Sequence, residues 1–570
     1  MTPDRLTLLM NFFLVLPVLL FFPGFIFSRT FLLLPAGMAL CERSFARVLM
    51  SLIASSLLGV ALAAFAIFNP QNLILGVIVL SFICFLFKRF KLFTGLLSLR
   101  LNIEDVIVVL VLFIGLIFFL WPSENIGAAF SLGRYLSRTG SLTEHRGMAE
   151  WPFLLKGPLI SVWYALVDGF FGIRAGLLTA PVFSALSLLC LFFLAKQWTL
   201  DAGAGFMAAV LYISNFTAVW FGRLPEGLTL CQMMLLGALY FGKISWEEKR
   251  SVLLIPSTGA LLLAFLAWPD SLRSIIPMFC GFLFLLFFIY QNSGRSNLNR
   301  TQTGATPVTV SENVLKFLGF SFLGFWMFTY FQSPESLRSA VPVLYWVLAS
   351  LGLFRMVFHA SGMPELTVWI GFFISPWVFY QESMDAVDLW GQAMLLFIPA
   401  AACLSGCFLS YLSKFNRCIR WLVLSSVVLG TALPVYWERD LFFTKDYDGT
   451  IDFYDKLKKN FLRNDLLFSQ DAELAAFLWN LFDLKVYVLP EEGLDVSFQN
   501  EIKKWLKDGG KAFVLSRTRM PEMSGFTLHL ESVERLRTMA LENPALPSRR
   551  RLPHQIFIQL YEAVPRPPSE

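Results

Sequence analysis

Between residues 7 and 437 the chain repeats one pattern. Runs of about twenty apolar residues, each long enough to cross the hydrocarbon core of a bilayer, alternate with short polar segments. On that template the sequence predicts about fourteen membrane helices, over 7–28, 46–68, 72–89, 103–121, 174–196, 203–221, 227–243, 252–268, 273–290, 314–331, 340–359, 364–381, 392–413 and 419–437. A water-facing surface cannot wrap this much apolar side chain. Of 570 residues 56% are hydrophobic and 60 are Phe, while only 15% are charged, against about 25% in soluble domains. A soluble globular enzyme, a disordered chain and a disulfide scaffold are excluded, which leaves an α-helical polytopic membrane protein. The first run has neither a strongly basic leader nor a small-residue cleavage site, so no cleaved signal peptide is expected.

Composition changes at Asp440. Of the 131 residues from there to the end, 38 are charged, about 29%, against 48 of the preceding 439, about 11%. A polar domain over 440–570 follows, a usual size for an independently packed core. Within it, helix-like segments at 450–462, 471–482 and 496–507 alternate with strand-like runs at 465–469, 485–489 and 511–516. Two more strands are expected at 526–532 and 556–563. This alternation predicts a small α/β sheet, parallel at its centre. No phosphate-binding glycine loop follows any of these strands, so no nucleotide cofactor is expected.

The eight cysteines all precede residue 440 and sit mostly inside apolar runs, as small apolar side chains. Cys403 and Cys407 have no His or carboxylate beside them, and no His pair has zinc spacing. The net charge of +6 points to membrane orientation rather than to a nucleic-acid partner. Arg29/Arg43/Arg47, Lys88–Lys91, Lys243–Arg250, Arg295/Arg300 and Lys414/Arg417/Arg420 form the basic loops. With fourteen helices and an outer N-terminus, all of them fall in the cytoplasm. The same arrangement puts 122–173, 222–227, 268–273, 382–388 and the domain from 440 on the outer face. Carboxylates recur at the membrane edge in these outer segments, as if around one shared site.

Each of those groups has two readings. Glu124 is either a base beside the membrane or a solvated acid at the start of an amphipathic helix expected over 124–138. A second interfacial helix with an aromatic belt is expected through Trp163, Tyr164, Phe170 and Phe171. Lys156 either meets a phosphate or snorkels to the interface. Arg223 and Glu226, three apart, either hold a phosphate and an orienting carboxylate or form a local pair at a helix start. Asp270 and Arg273 share that spacing, with helix capping the alternative. Glu382, Asp385 and Asp388 either bind a divalent cation or a polyhydroxyl acceptor or make a solvated acidic loop. Arg134, Arg138, His145 and Arg146 make the long loop basic, either to draw anionic lipid or a carrier phosphate or as a solvated face.

The order of these groups resembles a family. Glu124 after a membrane helix, an interfacial helix ending at Thr139-Gly140, Lys156-Gly157-Pro158-Leu159, Trp163-Tyr164-Ala165-Leu166 and Phe171-Gly172 are similar to the first outer loop of the GT-C membrane glycosyltransferases. Aminoarabinose transferases and protein O-mannosyltransferases are the nearest in pattern. Arg223-Leu224-Pro225-Glu226 and Trp268-Pro269-Asp270 are similar to two further outer turns of that family. The likeness covers 103–437, leaving 1–102 as N-terminal helices. Three positions depart from the pattern: Ser123 stands for an acid, Gly157 for a Pro and Trp268 for an Arg. The resemblance implies transfer of a sugar from a polyprenyl-phosphate donor to an envelope glycan, lipid or protein acceptor outside a bacterial inner membrane. It implies Glu124 as base, Lys156 and Arg223 (with Arg134) at the donor phosphate, and Glu226 as an orienting group. A transporter or flippase of lipid-linked glycan and a non-catalytic scaffold are the rivals. Against the transporter, the centres of the runs are almost free of charge and no internal repeat is seen.

Overall fold

The structure is a computed structural model. In the apolar part it describes residues 15–31, 34–87, 102–120, 128–140, 158–248, 251–268, 347–352 and 398–429, and in the polar part segments of 452–469, 475–489, 495–538 and 554–566, with short interruptions in both. The described apolar part is helical: α1 (Phe22–Thr30), α2 (Leu40–Ala64), α3 (Pro70–Phe87), α4 (Ile103–Phe119), α5 (Ala128–Thr139), α6 (Pro158–Phe171), α7 (Thr179–Thr199), α8 (Ala202–Ser214), α9 (Phe216–Phe221), α10 (Leu228–Glu248), α11 (Leu254–Ala267) and α12 (Ile398–Phe415). Three of these, α2, α7 and α10, are long and apolar enough to cross a membrane. The chain is therefore a helical membrane protein, with a small sheet in its polar part.

Local chemistry sets the helix boundaries. Asn102 and Asp105 form a reciprocal capping box at the start of α4, with the Asn102 N–H donating to Asp105 at 2.9 Å. Asp201 caps α8 by accepting from the Gly203 N–H at 2.9 Å. The single helix expected over 203–221 is interrupted. Asn215 is extended, ends α8, and accepts from the Ala218 N–H at 3.2 Å to start α9. An Asn side chain competes for backbone bonds, and here that local competition outweighs apolar continuity.

Packing divides the helices into core and rim. α7, α8 and α10 are buried on nearly all sides, as expected of the middle of a bundle. By contrast α3 exposes Leu75, Ile78, Val79, Phe82, Ile83 and Leu86, and α4 exposes Ile103, Val106, Val109, Leu110, Phe113 and Ile117. Each set repeats every three or four residues, one helix face left apolar and uncovered. In water each large side chain would forgo about 1.5–3 kcal/mol by remaining exposed. In a bilayer such faces meet lipid at no cost. Small residues bring other helices close. A Cβ at Gly406 of α12 would lie 2.7 Å from the Ala208 nitrogen and 2.8 Å from the Ala204 oxygen of α8.

Helix ends meet in two groups. At one end, Lys196 at the close of α7 pairs with Glu42 (2.6 Å) at the start of α2 and with Glu104 at the start of α4; the Tyr240 hydroxyl of α10 and the Gln197 amide also donate to Glu42. Asp201, before α8, bonds Ser410 and lies 3.7 Å from Lys414 at the close of α12. At the other end the Phe68 N–H, past α2, donates to the Gly140 carbonyl past α5 at 3.0 Å. Gly140 has φ +73°, the left-handed conformation that glycine adopts without strain. There too Ser184, early in α7, donates to the Gly222 carbonyl past α9 at 2.7 Å.

The polar part folds as a five-stranded sheet, β1 (Leu466–Ser469), β2 (Val486–Val488), β3 (Ala512–Ser516), β4 (Phe526–Thr538) and β5 (His554–Pro565), in the order β2-β1-β3-β5-β4. The β2-β1-β3 half is parallel; β5 is antiparallel to β3 and β4. The helix α13 (Val496–Lys507) lies between β2 and β3 in sequence, as a parallel crossover requires. Alternation along the strands covers both faces: Phe468, Val514 and Tyr561 pack with Ile502 of α13, while Leu467, Leu515 and Ile558 face a second cluster with Leu457 and Leu478.

Candidate functional site

The segment that bears the family likeness forms a helical pair. α5 is amphipathic and packs on α6, and its apolar residues Phe130, Leu132 and Leu136 are buried rather than spread on a surface. The Phe130 ring meets Tyr164 edge-on at 4.9 Å. Gly133 allows the close crossing, because a Cβ there would lie 2.7 Å from the Tyr164 Cβ and 2.8 Å from the Ser161 oxygen. For two of the four residues of the expected aromatic belt on α6 the outcome is the same, while Phe170 and Phe171 stay part-exposed. Trp163 and Tyr164 are buried, and the Trp163 indole donates to Ser56 of α2 at 2.9 Å while packing on Phe183 of α7. An apolar helix face does not specify its cover, and protein covers this one.

The crossing sets a charged pair beside it. Arg134, next to Gly133, is 2.9 Å from the carboxylate of Asp168 on α6; the Arg134 side chain is 28% exposed and that of Asp168 3%. A buried carboxylate thus steers a guanidinium whose outer edge still reaches solvent. A guanidinium held in this way presents parallel N–H donors and suits an oxyanion.

Arg223 lies at the same end, just past α9. Its guanidinium is buried and donates to the Phe118 carbonyl, from Nε at 3.0 Å and from Nη2 at 2.6 Å. Phe118 stands in the last turn of α4, whose carbonyls have no helical donors, so Arg223 closes that helix end. Burial pulls the Arg223 pKa down to about 10, which still leaves it a cation at neutral pH. Gly222 beside it fits tightly: a Cβ would lie 2.6 Å from the Phe119 ring and 2.8 Å from the Ala218 oxygen. The turn that bears Arg223 is therefore wedged between the end of α4 and the start of α7.

Of the expected site residues the structure brings Arg134 and Arg223 to one end of the bundle, the end from which α4 runs on toward Glu124 in sequence. Glu124, Lys156, Glu226, Asp270, Arg273, Glu382, Asp385, Asp388, His145 and Arg146 lie outside the described residues. Sequence reasoning passed over Asp168, although a carboxylate within Trp163–Phe171 is itself a signal, since acids in apolar helices are rare and tied to partners. It also passed over Glu42, Glu104 and Lys196, which join three helices at the opposite end. Among the described residues no three His, Cys, Asp or Glu side chains are placed to hold a metal ion.

The fold and these charges define a helical membrane protein that places two arginines, one ion-paired and one closing a helix end, at one end of its bundle. No protein-family model matches the chain, and no curated protein matches it.

Proposed function

We propose that the chain is a glycosyltransferase of GT-C type, which moves a sugar from a polyprenyl-phosphate donor to an acceptor on the outer face of a bacterial inner membrane. The observation that carries the reading is the Arg134–Asp168 pair, a part-exposed arginine backed by a buried carboxylate at the end of an apolar bundle. A lipid phosphate as leaving group needs such a cation at headgroup level. Arg134, Lys156 and Arg223 hold the donor phosphate, and Glu226 orients Arg223. The acceptor hydroxyl attacks the anomeric carbon, and Glu124 takes its proton. The bond from the anomeric carbon to the phosphate oxygen breaks with its electron pair leaving on the phosphate, so the configuration inverts. A positioned base of this kind contributes about 10²–10⁴-fold in rate. The N-terminus and the α/β domain lie outside the cytoplasm, and that domain covers the site or captures the acceptor.

The test uses Glu124→Gln and Lys156→Ala in the full chain, with transfer followed from a labelled polyprenyl-phosphate sugar. Both are expected to lose at least about 100-fold in kcat/KM, and undiminished turnover in both would overturn the assignment. A transporter of lipid-linked glycan is the second reading, favoured by the helix break at Asn215. It predicts movement of the labelled lipid across liposomes with no sugar transferred.

A further inference from the structure

A second cationic group stands at the junction of α1 and α2, apart from the site above. Arg29 lies in the last turn of α1, and Arg43 and Arg47 lie one turn apart near the start of α2. The guanidinium carbon of Arg47 sits 4.9 Å from the centre of the Phe25 ring, and that of Arg29 sits 5.9 Å from the same centre. Arg47 donates from Nε to the Ser28 hydroxyl at 3.3 Å, and Arg43 donates from Nη2 to the Met38 carbonyl at 3.0 Å. The two helices interlock where this happens. The Gly24 N–H donates to Ser51 at 2.7 Å, and a side chain at Gly24 would collide with the Arg47 carbonyl. The arginines are therefore held by backbone packing, and two of them stack on one ring.

Like charges repel, and two of these three have no compensating acid within the described structure. Among the described residues neither Arg29 nor Arg47 forms an ion pair. Glu42, adjacent in sequence to Arg43, is turned to another face of α2 and is taken by Lys196. The surroundings say what kind of anion fits. The exposed Phe21 ring stacks on Phe25 at 5.9 Å, so apolar aromatic surface continues from the ring that carries the cations, the arrangement seen where a protein meets lipid headgroups. An anion bound there needs a charged head for the guanidiniums and an apolar body for the phenyl rings.

We propose that Arg29 and Arg47, held over the Phe25 ring with Arg43 one turn before Arg47, form a binding site for the phosphate headgroup of an anionic membrane lipid. Planar guanidiniums offer paired N–H donors to phosphate oxygens, while the ring holds two of the cations in place. The site requires no catalytic role and is independent of the reading of Arg134 and Arg223.

The test measures thermal stabilisation of the full-length purified protein in neutral detergent. Short-chain phosphatidylglycerol is titrated against phosphatidylcholine with the same chains and against inorganic phosphate at equal concentration. Phosphatidylglycerol is expected to raise the unfolding temperature, while the other two leave it unchanged. Arg29→Gln combined with Arg47→Gln is expected to weaken the apparent affinity by about tenfold or more. Arg29→Lys with Arg47→Lys, which keeps both charges but loses the planar donors, is expected to fall between. If the Gln variant does not fold, the Lys variant and the salt dependence of the wild type carry the test, with the stabilisation expected to fade between low and high salt. Equal responses to both lipids, an undiminished response in the arginine variants, or insensitivity to salt would overturn the site. A response to inorganic phosphate equal to that of phosphatidylglycerol would overturn the lipid as its ligand.

Discussion

Arg134 and Arg223 share one end of the bundle, yet different chemistry holds them. Asp168 anchors Arg134 and leaves its outer edge accessible, whereas Arg223 is buried and spends two donors on the Phe118 carbonyl. Arg223→Ala removes both donors from that helix end and is expected to cost about 1–3 kcal/mol, read as a lower unfolding temperature. Arg223→Lys, able to supply a compact ammonium but no fork, is expected to recover only part of it. Asp201 gives a pH signature at the opposite end. Burial pushes its carboxyl up, but the Ser410 hydroxyl, the Gly203 N–H and the Lys414 ammonium outweigh burial and hold it below the usual carboxylate range. A carboxyl with a depressed folded-state pKa stabilises above its unfolded value, near 4, and loses that contribution as pH falls through the folded value. The stability difference between wild type and Asp201→Asn is therefore expected to be constant from pH 7 to about 5 and to shrink below pH 4, measured by thermal unfolding across that range.

Elements are joined by small residues and by buried charge. α8 and α12 touch through Ala204, Ala208 and Gly406, where nothing larger than hydrogen fits. Gly406→Val is expected to force the helices apart and cost about 1–3 kcal/mol, detected as a lower unfolding temperature and faster proteolysis in detergent. At the same level the Glu42–Lys196–Glu104 cluster joins α2, α7 and α4 with one ammonium between two carboxylates. How well such elements can be read from sequence depends on the interaction that defines them. The helix expected over 496–507 is α13, Val496–Lys507, because Phe498, Ile502 and Leu506 recur at helical spacing and pack on the sheet. Strand β4 runs to Thr538, beyond the expected 532, because it pairs with β5 along its whole length across a bulge near Leu530. The break at Asn215 was hidden inside a mostly apolar run, where hydropathy outweighs the polar Ser214, Asn215 and Thr217.

At the scale of the whole molecule, the apolar faces of α3 and α4 and the two groups of helix ends are the features a bilayer would organise. Thiol labelling tests the orientation proposed for them. In a variant free of native cysteines, single cysteines placed at residue 91 and at residue 500 are compared with a membrane-impermeant reagent in intact cells. Residue 500 is expected to label and residue 91 to remain protected, because basic loops are retained in the cytoplasm. Labelling of both, or of residue 91 alone, would overturn that orientation.

The sequence by itself determined the class and the division of the chain. Runs of about twenty apolar residues admit only hydrogen-bond-saturated helices in a bilayer, and the richer charge after Asp440 predicts a water-facing part, in which the structure places the five-stranded sheet. Parallel pairing was legible in part, since alternating helices and strands favour parallel neighbours, but it lies on the β2-β1-β3 side, and the central β3 is antiparallel to β5. Tertiary structure alone decided what each apolar face meets and which charges pair. The faces of α5 and α6 pack on protein, and Asp168 finds Arg134 because Gly133 lets two helices cross closely. Periodicity records that a face is apolar but carries no information about its cover, and an ion pair between residues 134 and 168 depends on a crossing that no local pattern encodes.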